Sequence, residues 1–180
     1  NFEVGQISKF PVIPKIINNQ SNDVVHQLIN FSKNDWDSFE TSWNFSCLPI
    51  LKIATKDTPL KNGYKKLFQS WEAIITKMKK FEELNNQYFL KIYGLDGEIS
   101  SNVQVEEISL MCNPYYRYKG TLSNEQREER LLEDTLKELL SFSVGCAFGR
   151  YSLDQPGLII TNQGETIQDY LRIVGGKPTF

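Results

Sequence analysis

The sequence predicts a mainly α fold, a helical connector domain with two long packed helices, irregular aromatic-rich loops and at most a short β element. Three observations predict it. Apolar residues recur at helical spacing over two long stretches, one ending at Gly94 and one opening at Ser123. Both stretches carry helix punctuation: Thr58-Pro59 before the first and Gly94 after it, and a Ser123-x-x-Gln126 capping box before the second. The alternating strand–helix pattern of an α/β domain is absent.

Residues 1–20 hold Pro11 and Pro14 among apolar side chains. Proline biases the residue before it toward extended geometry, so this segment reads as an extended arm. A first helix is expected over Asn22–Asn34, capped by Asn22, with Val25, Leu28, Ile29 and Ser32 on its inner face. The next stretch, DWDSFETSWNFSCLPIL at residues 35–51, is dense in aromatics (Trp36, Phe39, Trp43, Phe45) without a clean period. Such a cluster pins a loop onto a core; a base-stacking platform is the functional alternative.

The second helix is expected over Pro59–Tyr93. Its apolar side is Tyr64, Leu67, Phe68, Trp71, Ile74, Ile75, Met78, Phe81, Tyr88, Phe89 and Ile92; its other side carries Lys61, Lys65, Lys66, Lys77, Lys79 and Lys80. At ~1.5 Å per residue it would be roughly 50 Å long, which suits a spacer or a brace. Val103, Val105, Ile108 and Leu110 permit a short strand. The third helix follows Ser123, with Leu132, Thr135, Leu136, Leu139, Leu140, Ser143 and Ala147 as its apolar stripe and an acidic first half. Gly145 and Gly149, four apart near its end, predict close approach of another backbone, because glycine in a helix costs about 1 kcal/mol against alanine. Pro156-Gly157 reads as a turn and Thr166–Val174 as a last short helix.

Composition bounds the function. The chain has 180 residues, 40% hydrophobic and 12% aromatic, enough for a real core. Its net charge of −2, from 20 basic and 22 acidic residues, supplies no overall field toward nucleic acid. Cys47, Cys112 and Cys146 are scattered and odd in number, which fits a reducing compartment and a cytoplasmic location. No apolar run is long enough to span a bilayer. The first residue is not Met, and both ends read as cut from a longer protein.

One motif suggests chemistry. Asn113-Pro114-Tyr115-Tyr116 differs by one letter from Asn-Pro-Pro-Tyr, the signature of DNA adenine-N6 methyltransferases. Such enzymes need both a flipped-base pocket and a methyl-donor site, usually a glycine-rich turn after a strand. Residues 6–62 contain no glycine, and no Phe-x-Gly-x-Gly precedes Cys112. The motif therefore stands without its donor site and reads as a proline-initiated turn with tyrosines packed beside Arg117. His26 is the single histidine, and no Cys/His set has metal-ligand spacing. Gly176-Lys177-Pro178-Thr179 has a phosphate-loop flavour, but Leu171 stands where the loop's earlier glycine would be.

Four stretches, DWDSFETSWNFSCLPIL (35–51), LNNQYFLKIYGLDGEI (84–99), CNPYYRY (112–118) and LLSFSVGCAFGRYSLDQPGLI (139–159), taken in order, resemble the PglX family of adenine-specific DNA methyltransferases of bacterial BREX phage-defence systems. That family is related to the methylase parts of type II restriction enzymes. NFEVGQISKFPVI, residues 1–13, resembles the segment that leaves the catalytic domain.

The resemblance implies that the donor site and the true Asn-Pro-Pro-Tyr lie upstream, and that CNPYYRY is a second, noncatalytic stretch. No catalytic, cofactor-binding or metal residue carries over. S-adenosylmethionine is implied for the parent enzyme and none for this segment. DNA is the implied partner through the full-length parent, with other BREX proteins as further partners and no membrane. The expected layout is residues 1–20 as the arm, 21–153 as the connector, and 154–180 as the start of the region leading to target recognition. The connector would position catalytic and recognition domains on DNA; an independent helical protein-interaction module is the alternative. Phosphate contacts, if made here, fall to Lys65, Lys66, Lys77, Lys79 and Lys80 of the second helix, with Lys61 beside them, and to Arg117 and Lys119. The acidic half of the third helix would repel phosphates.

Overall fold

A computed structural model describes Lys9, Pro11, Ile13, residues 19–53 and residues 57–176. The rest of the expected arm, and Lys177-Pro178-Thr179 of the phosphate-loop look-alike, lie outside the described residues. The fold is mainly α. Its helices are α1 (Asn19–Trp36), α2 (Pro49–Ile53), α3 (Leu60–Tyr93), α4 (Pro114–Arg117), α5 (Asn124–Ala147) and α6 (Ile167–Val174).

Helix α3 is the spine, with 34 residues. It starts after Pro59, whose missing N–H costs nothing at a helix start. It ends at Gly94, which takes the left-handed conformation (φ 68°) that closes the last turn. There the Leu95 amide donates to the Leu90 carbonyl at 2.9 Å, satisfying an otherwise open helix end. Helix α5 opens with the expected box: the Ser123 hydroxyl accepts from the Gln126 amide, and the Gln126 side chain accepts from the Ser123 amide. A second box, Thr166 with Asp169, opens α6.

Two clusters of side chains pack along α3. Toward its start, Phe45, Leu48, Ile50 and Leu67 meet Phe142 and Tyr151. Phe142 and Tyr151 stack at 4.8 Å, and Phe45 sits edge-on to both rings. Further along, Ile75 and Met78 meet Val103, Ile108, Leu110 and Cys112, with Leu28 and Phe31 of α1 over them. Trp71 touches both clusters, so one helix ties two cores together. A third cluster, Ile159, Tyr170 and Val174, closes the C-terminal part. The Gly157 amide donates to the Ser46 carbonyl at 2.7 Å and anchors the Pro156-Gly157 turn to the aromatic loop.

Several expectations are corrected. Helix α1 begins at Asn19, so it enters the span assigned to the arm, and Asn22 is an interior residue rather than the cap. Residues 19–22 show no apolar period, so pattern reading started the helix late. Its half-buried residues are Val24, Val25, Leu28, Phe31 and Asp35, so Val25 and Leu28 of the expected face turn inward while Ile29 and Ser32 face solvent. The expected strand near Val103–Leu110 is an extended strip broken by a 3-10 turn at Val105–Glu107. Its apolar residues are buried, but no strand lies beside it to pair with; an isolated Asp96–Ile99 bridge is the one β contact among the described residues.

The buried face of α5 is Leu131, Thr135 and Phe142, with Leu139 and Cys146 beside them; of the expected stripe Thr135 and Leu139 face inward, Leu132 is half-buried, and Leu136, Leu140, Ser143 and Ala147 are exposed. Thr135 tolerates burial because its hydroxyl donates to the Leu131 carbonyl at 2.7 Å. The two glycines permit a close approach by side chains rather than by another backbone: for Gly145 by a ring of the following loop, for Gly149 by Ile160 and by Tyr170 of α6. A β-carbon on Gly145 would stand 2.6 Å from the Tyr151 ring, and Gly149 (φ 76°), just beyond α5, lies against Ile160 and Tyr170. The aromatic loop divides: Phe45 is buried, whereas Trp43 is fully exposed and Trp36 half-exposed.

Candidate functional site

In a methyltransferase signature the carboxamide at the position of Asn113 would hold the adenine amine. Here Asn113 is fully buried. Its amide nitrogen donates to the carbonyls of Val105 (2.7 Å) and Ile108 (2.9 Å), and its oxygen accepts from the Tyr115 amide (3.1 Å). Both hydrogens and the acceptor are thus committed inside the chain. Pro114 stands at the first helical position after this cap, where its fixed φ suits the turn. The letters Asn-Pro-Tyr-Tyr build a capped helical turn, α4.

The turn is held from outside by Asp35, at the end of α1. Its carboxylate accepts from the Met111 amide (2.6 Å) and the Cys112 amide (3.0 Å). Burial pushes the Cys112 thiol up, and the Asp35 charge adds to this, so it is no nucleophile. Below the turn a cavity of about 20 Å³ is bounded by Asp35, Arg117, Thr135, Glu138 and apolar side chains. That volume accommodates about one water.

Arg117 fastens α4 to α5. Its guanidinium lies 3.2 Å from both Asp134 and Glu138, and stacks near the rings of Phe39 and Tyr118, each 5.5 Å away. The two carboxylates respond differently. Burial raises Glu138, and Arg117 only partly offsets this because the charges of Asp134 and Glu40 add to it. Burial acts upward on Asp134 as well, but the Tyr118 hydroxyl (2.7 Å) and Arg117 outweigh it and hold that carboxyl below the usual range. Arg127 gathers the following loop by donating to the carbonyls of Tyr118, Gly120 and Leu122. The motif's own tyrosines therefore pair with other cations than expected: Arg127 lies over Tyr115 and Lys119 over Tyr116.

The candidate phosphate contacts do not form one patch. Lys65 and Lys66 are exposed near the start of α3, Lys77, Lys79 and Lys80 lie three to four turns further on, and Lys119 follows α4. Lys77 sits over Phe31 and Phe81 at 5.6 and 5.9 Å, and Lys79 pairs with Glu83 at 3.7 Å. Arg117, with only 16% of its side chain exposed, is engaged by two carboxylates. Asp134 and Glu138 belong to the acidic run of α5, which nothing in the sequence ties to Arg117. Nothing local marks Asp35, because the amides it receives are 76 and 77 residues away. All three cysteines are free, and no group of His, Cys, Asp and Glu among the described residues could hold a metal ion. No described helix is long and apolar enough to cross a membrane.

No family model matches the chain. Individual proteins do. Over all 180 residues the chain is 34% identical to the adenine-specific methyltransferase BrxX of Escherichia coli O9:H4 (strain HS). Over 162 residues, 88% of the chain, it is 30% identical to the adenine-specific methyltransferase PglX of Lacticaseibacillus casei (strain Zhang). It spans 14% and 12% of the length of these relatives.

Proposed function

From a chain that belongs, as one segment, to the PglX/BrxX adenine-specific methyltransferases of BREX phage defence, we propose a noncatalytic connector role within a DNA adenine-N6 methyltransferase. Residues 21–153 brace the catalytic part against the target-recognition part, and 154–180 lead toward recognition. S-adenosylmethionine and the catalytic Asn-Pro-Pro-Tyr belong to other segments of the parent.

The observation that carries this reading is α3. A single helix ~50 Å long, joined to two separate cores through Trp71, resists bending in a way a loop-linked pair of domains would not. The Asn113 geometry supports the noncatalytic half, since a carboxamide bonded to Val105, Ile108 and Tyr115 has nothing left for a base. DNA contact, where this segment makes it, falls to the exposed lysines of the middle of α3, Lys77, Lys79 and Lys80. Such contacts hold backbone and do not read sequence.

The test is a kink. Ala73 is exposed on α3, and Ala73→Pro removes a helical hydrogen bond and bends the axis. In the full-length enzyme, S-adenosylmethionine binding should persist while methylation of the target site falls at least tenfold. Undiminished methylation by a kinked enzyme would remove the bracing role. Reversal of Lys77, Lys79 and Lys80 to Glu should weaken all DNA alike and flatten the salt dependence, each lost contact changing the slope by about 0.9.

A further inference from the structure

Helix α5 carries a second apolar side that nothing among the described residues covers. Leu136, Leu140 and Val144 recur one turn apart with 36%, 67% and 54% of their surface exposed, and Phe148 continues the line. At its N-terminal end this seam runs into a groove of about 980 Å³ between α5 and the start of α3. Leu60, Tyr64, Phe68, Leu132 and Leu136 form the apolar lining. The two rims have opposite charge: Lys61 and Lys65 on α3, Glu125, Glu128 and Glu129 on α5. The Tyr64 hydroxyl has no hydrogen-bond partner among the described residues, although the atom is buried.

Chemistry restricts what fits. Contiguous exposed apolar surface with polar rims marks an interaction site. The walls are two helices and the seam repeats every four residues, a surface that receives another helix by ridges into grooves. No open strand edge is present to recruit a β partner among the described residues. The occupant's charges are set by the rims, with basic residues toward the three glutamates and acidic ones toward the two lysines. From Leu132 to Phe148 the seam is ~24 Å long, or four to five turns of a partner helix. Resting on the reading of this chain as one segment of a long methyltransferase, the source is also constrained: the chain spans only 14% of the relative it matches end to end, so most of the parent lies outside it, and a tethered segment meets the groove at a concentration set by its linker, independent of dilution.

We propose that the α3–α5 groove and the seam beyond it seat an amphipathic helix from another part of the same polypeptide, its apolar stripe on Tyr64, Leu132 and Leu136 and its basic edge on Glu125, Glu128 and Glu129. This is a fixed intramolecular joint, through which the connector grips a neighbouring part of the enzyme.

The experiment uses the purified full-length protein. Leu136→Cys and, as the open control, Lys137→Cys, whose parent side chain is 69% exposed, are labelled with a maleimide and read by peptide mass spectrometry. Leu136→Cys should react at least tenfold more slowly than Lys137→Cys, with the same ratio after hundredfold dilution. Adding Lys61→Glu and Lys65→Glu should speed its labelling severalfold. Equal rates at the two positions would overturn the proposal. Protection that disappears on dilution would overturn it too, because the cover would then be a second copy. Leu136→Cys combined with Ala73→Pro, assayed for both labelling and methylation, separates the two readings: protection with unimpaired methylation after the α3 kink rejects the brace and keeps the joint.

Discussion

At the Asn113 turn the polar groups find their partners inside the chain, whereas in the α3–α5 groove leucines face outward and a tyrosine hydroxyl is left unpaired. Both places carry aromatic, amide and charged residues. They differ in whether the segment brings its own complement. Asn113 receives carbonyls from Val105 and Ile108, a few residues earlier, and Asp35 closes the turn from α1. The groove has apolar surface and opposed charges but no third helix among the described residues to use them. A closed polar knot of this kind specifies structure, and an open apolar groove with charged rims invites a partner. The motif that looked catalytic is the structural one, and leucines that looked like core are the exposed ones.

The largest effect should come from breaking the knot. Asn113→Ala takes one hydrogen bond each from the Val105 and Ile108 carbonyls, which keep only the amides of Ile108 and Leu110, and removes a helix cap; each of the three losses is worth about 1 kcal/mol. Denaturant unfolding should show a loss of about 3 kcal/mol or more. Asn113→Asp should fare little better, since it presents oxygen where Val105 and Ile108 need a donor. An Asn113→Ala chain of unchanged stability would mean the carboxamide is not holding the turn.

Next is the close approach beside the first core. Gly145→Leu drives a side chain into the Tyr151 ring, which is itself buried against Phe142. Overpacking there should cost about 1–3 kcal/mol in thermal or denaturant unfolding, with the near-ultraviolet signal of Tyr151 and Phe142 disturbed.

A smaller effect attaches to the Arg117 ion pairs, and it depends on pH. The Asp134 carboxyl is held below its ordinary range in the folded state, so the unfolded chain binds its proton more readily there. Its contribution is complete above the ordinary carboxylate range and is lost as pH falls through the lowered folded value. Asp134→Asn should therefore cost about 1 kcal/mol near neutrality and progressively less in acid. Glu138 is raised, so its linkage runs the other way: the stability tied to it is fully present below the ordinary carboxylate range and is lost as pH rises through the raised folded value. Stability curves of Asp134→Asn and Glu138→Gln measured from neutral pH into the carboxylate range should diverge in slope.

The smallest effect belongs to the open side. In this chain by itself Leu140→Ser should change stability by no more than about 0.5 kcal/mol, as expected for a surface substitution. In the full-length protein the same change should cost more, because the proposed helix covers that surface. An equal, negligible cost in both would leave the seam bare and dissolve the contrast with the Asn113 turn.

Local chemistry was enough to read α3, α5 and α6, but not the short α2 and α4 or the start of α1. The α3 boundaries are written by Pro59 and Gly94, and the α5 and α6 starts by the boxes at Ser123 and Thr166, because a cap acts within one turn of the residue that makes it. The mainly α class follows from the same periods. Which face of a helix is buried did not follow, because α5 has two apolar sides and either could meet a core. Tertiary packing chose Leu131, Thr135 and Phe142 by placing Tyr151 and Leu67 opposite them, and left Leu136 and Leu140 outside. The partners of the Asn113 turn were likewise a tertiary decision. The missing donor site already pointed to a proline-initiated turn; which partners hold that turn, the Val105 and Ile108 carbonyls and Asp35 from 76 residues away, only the tertiary structure decided.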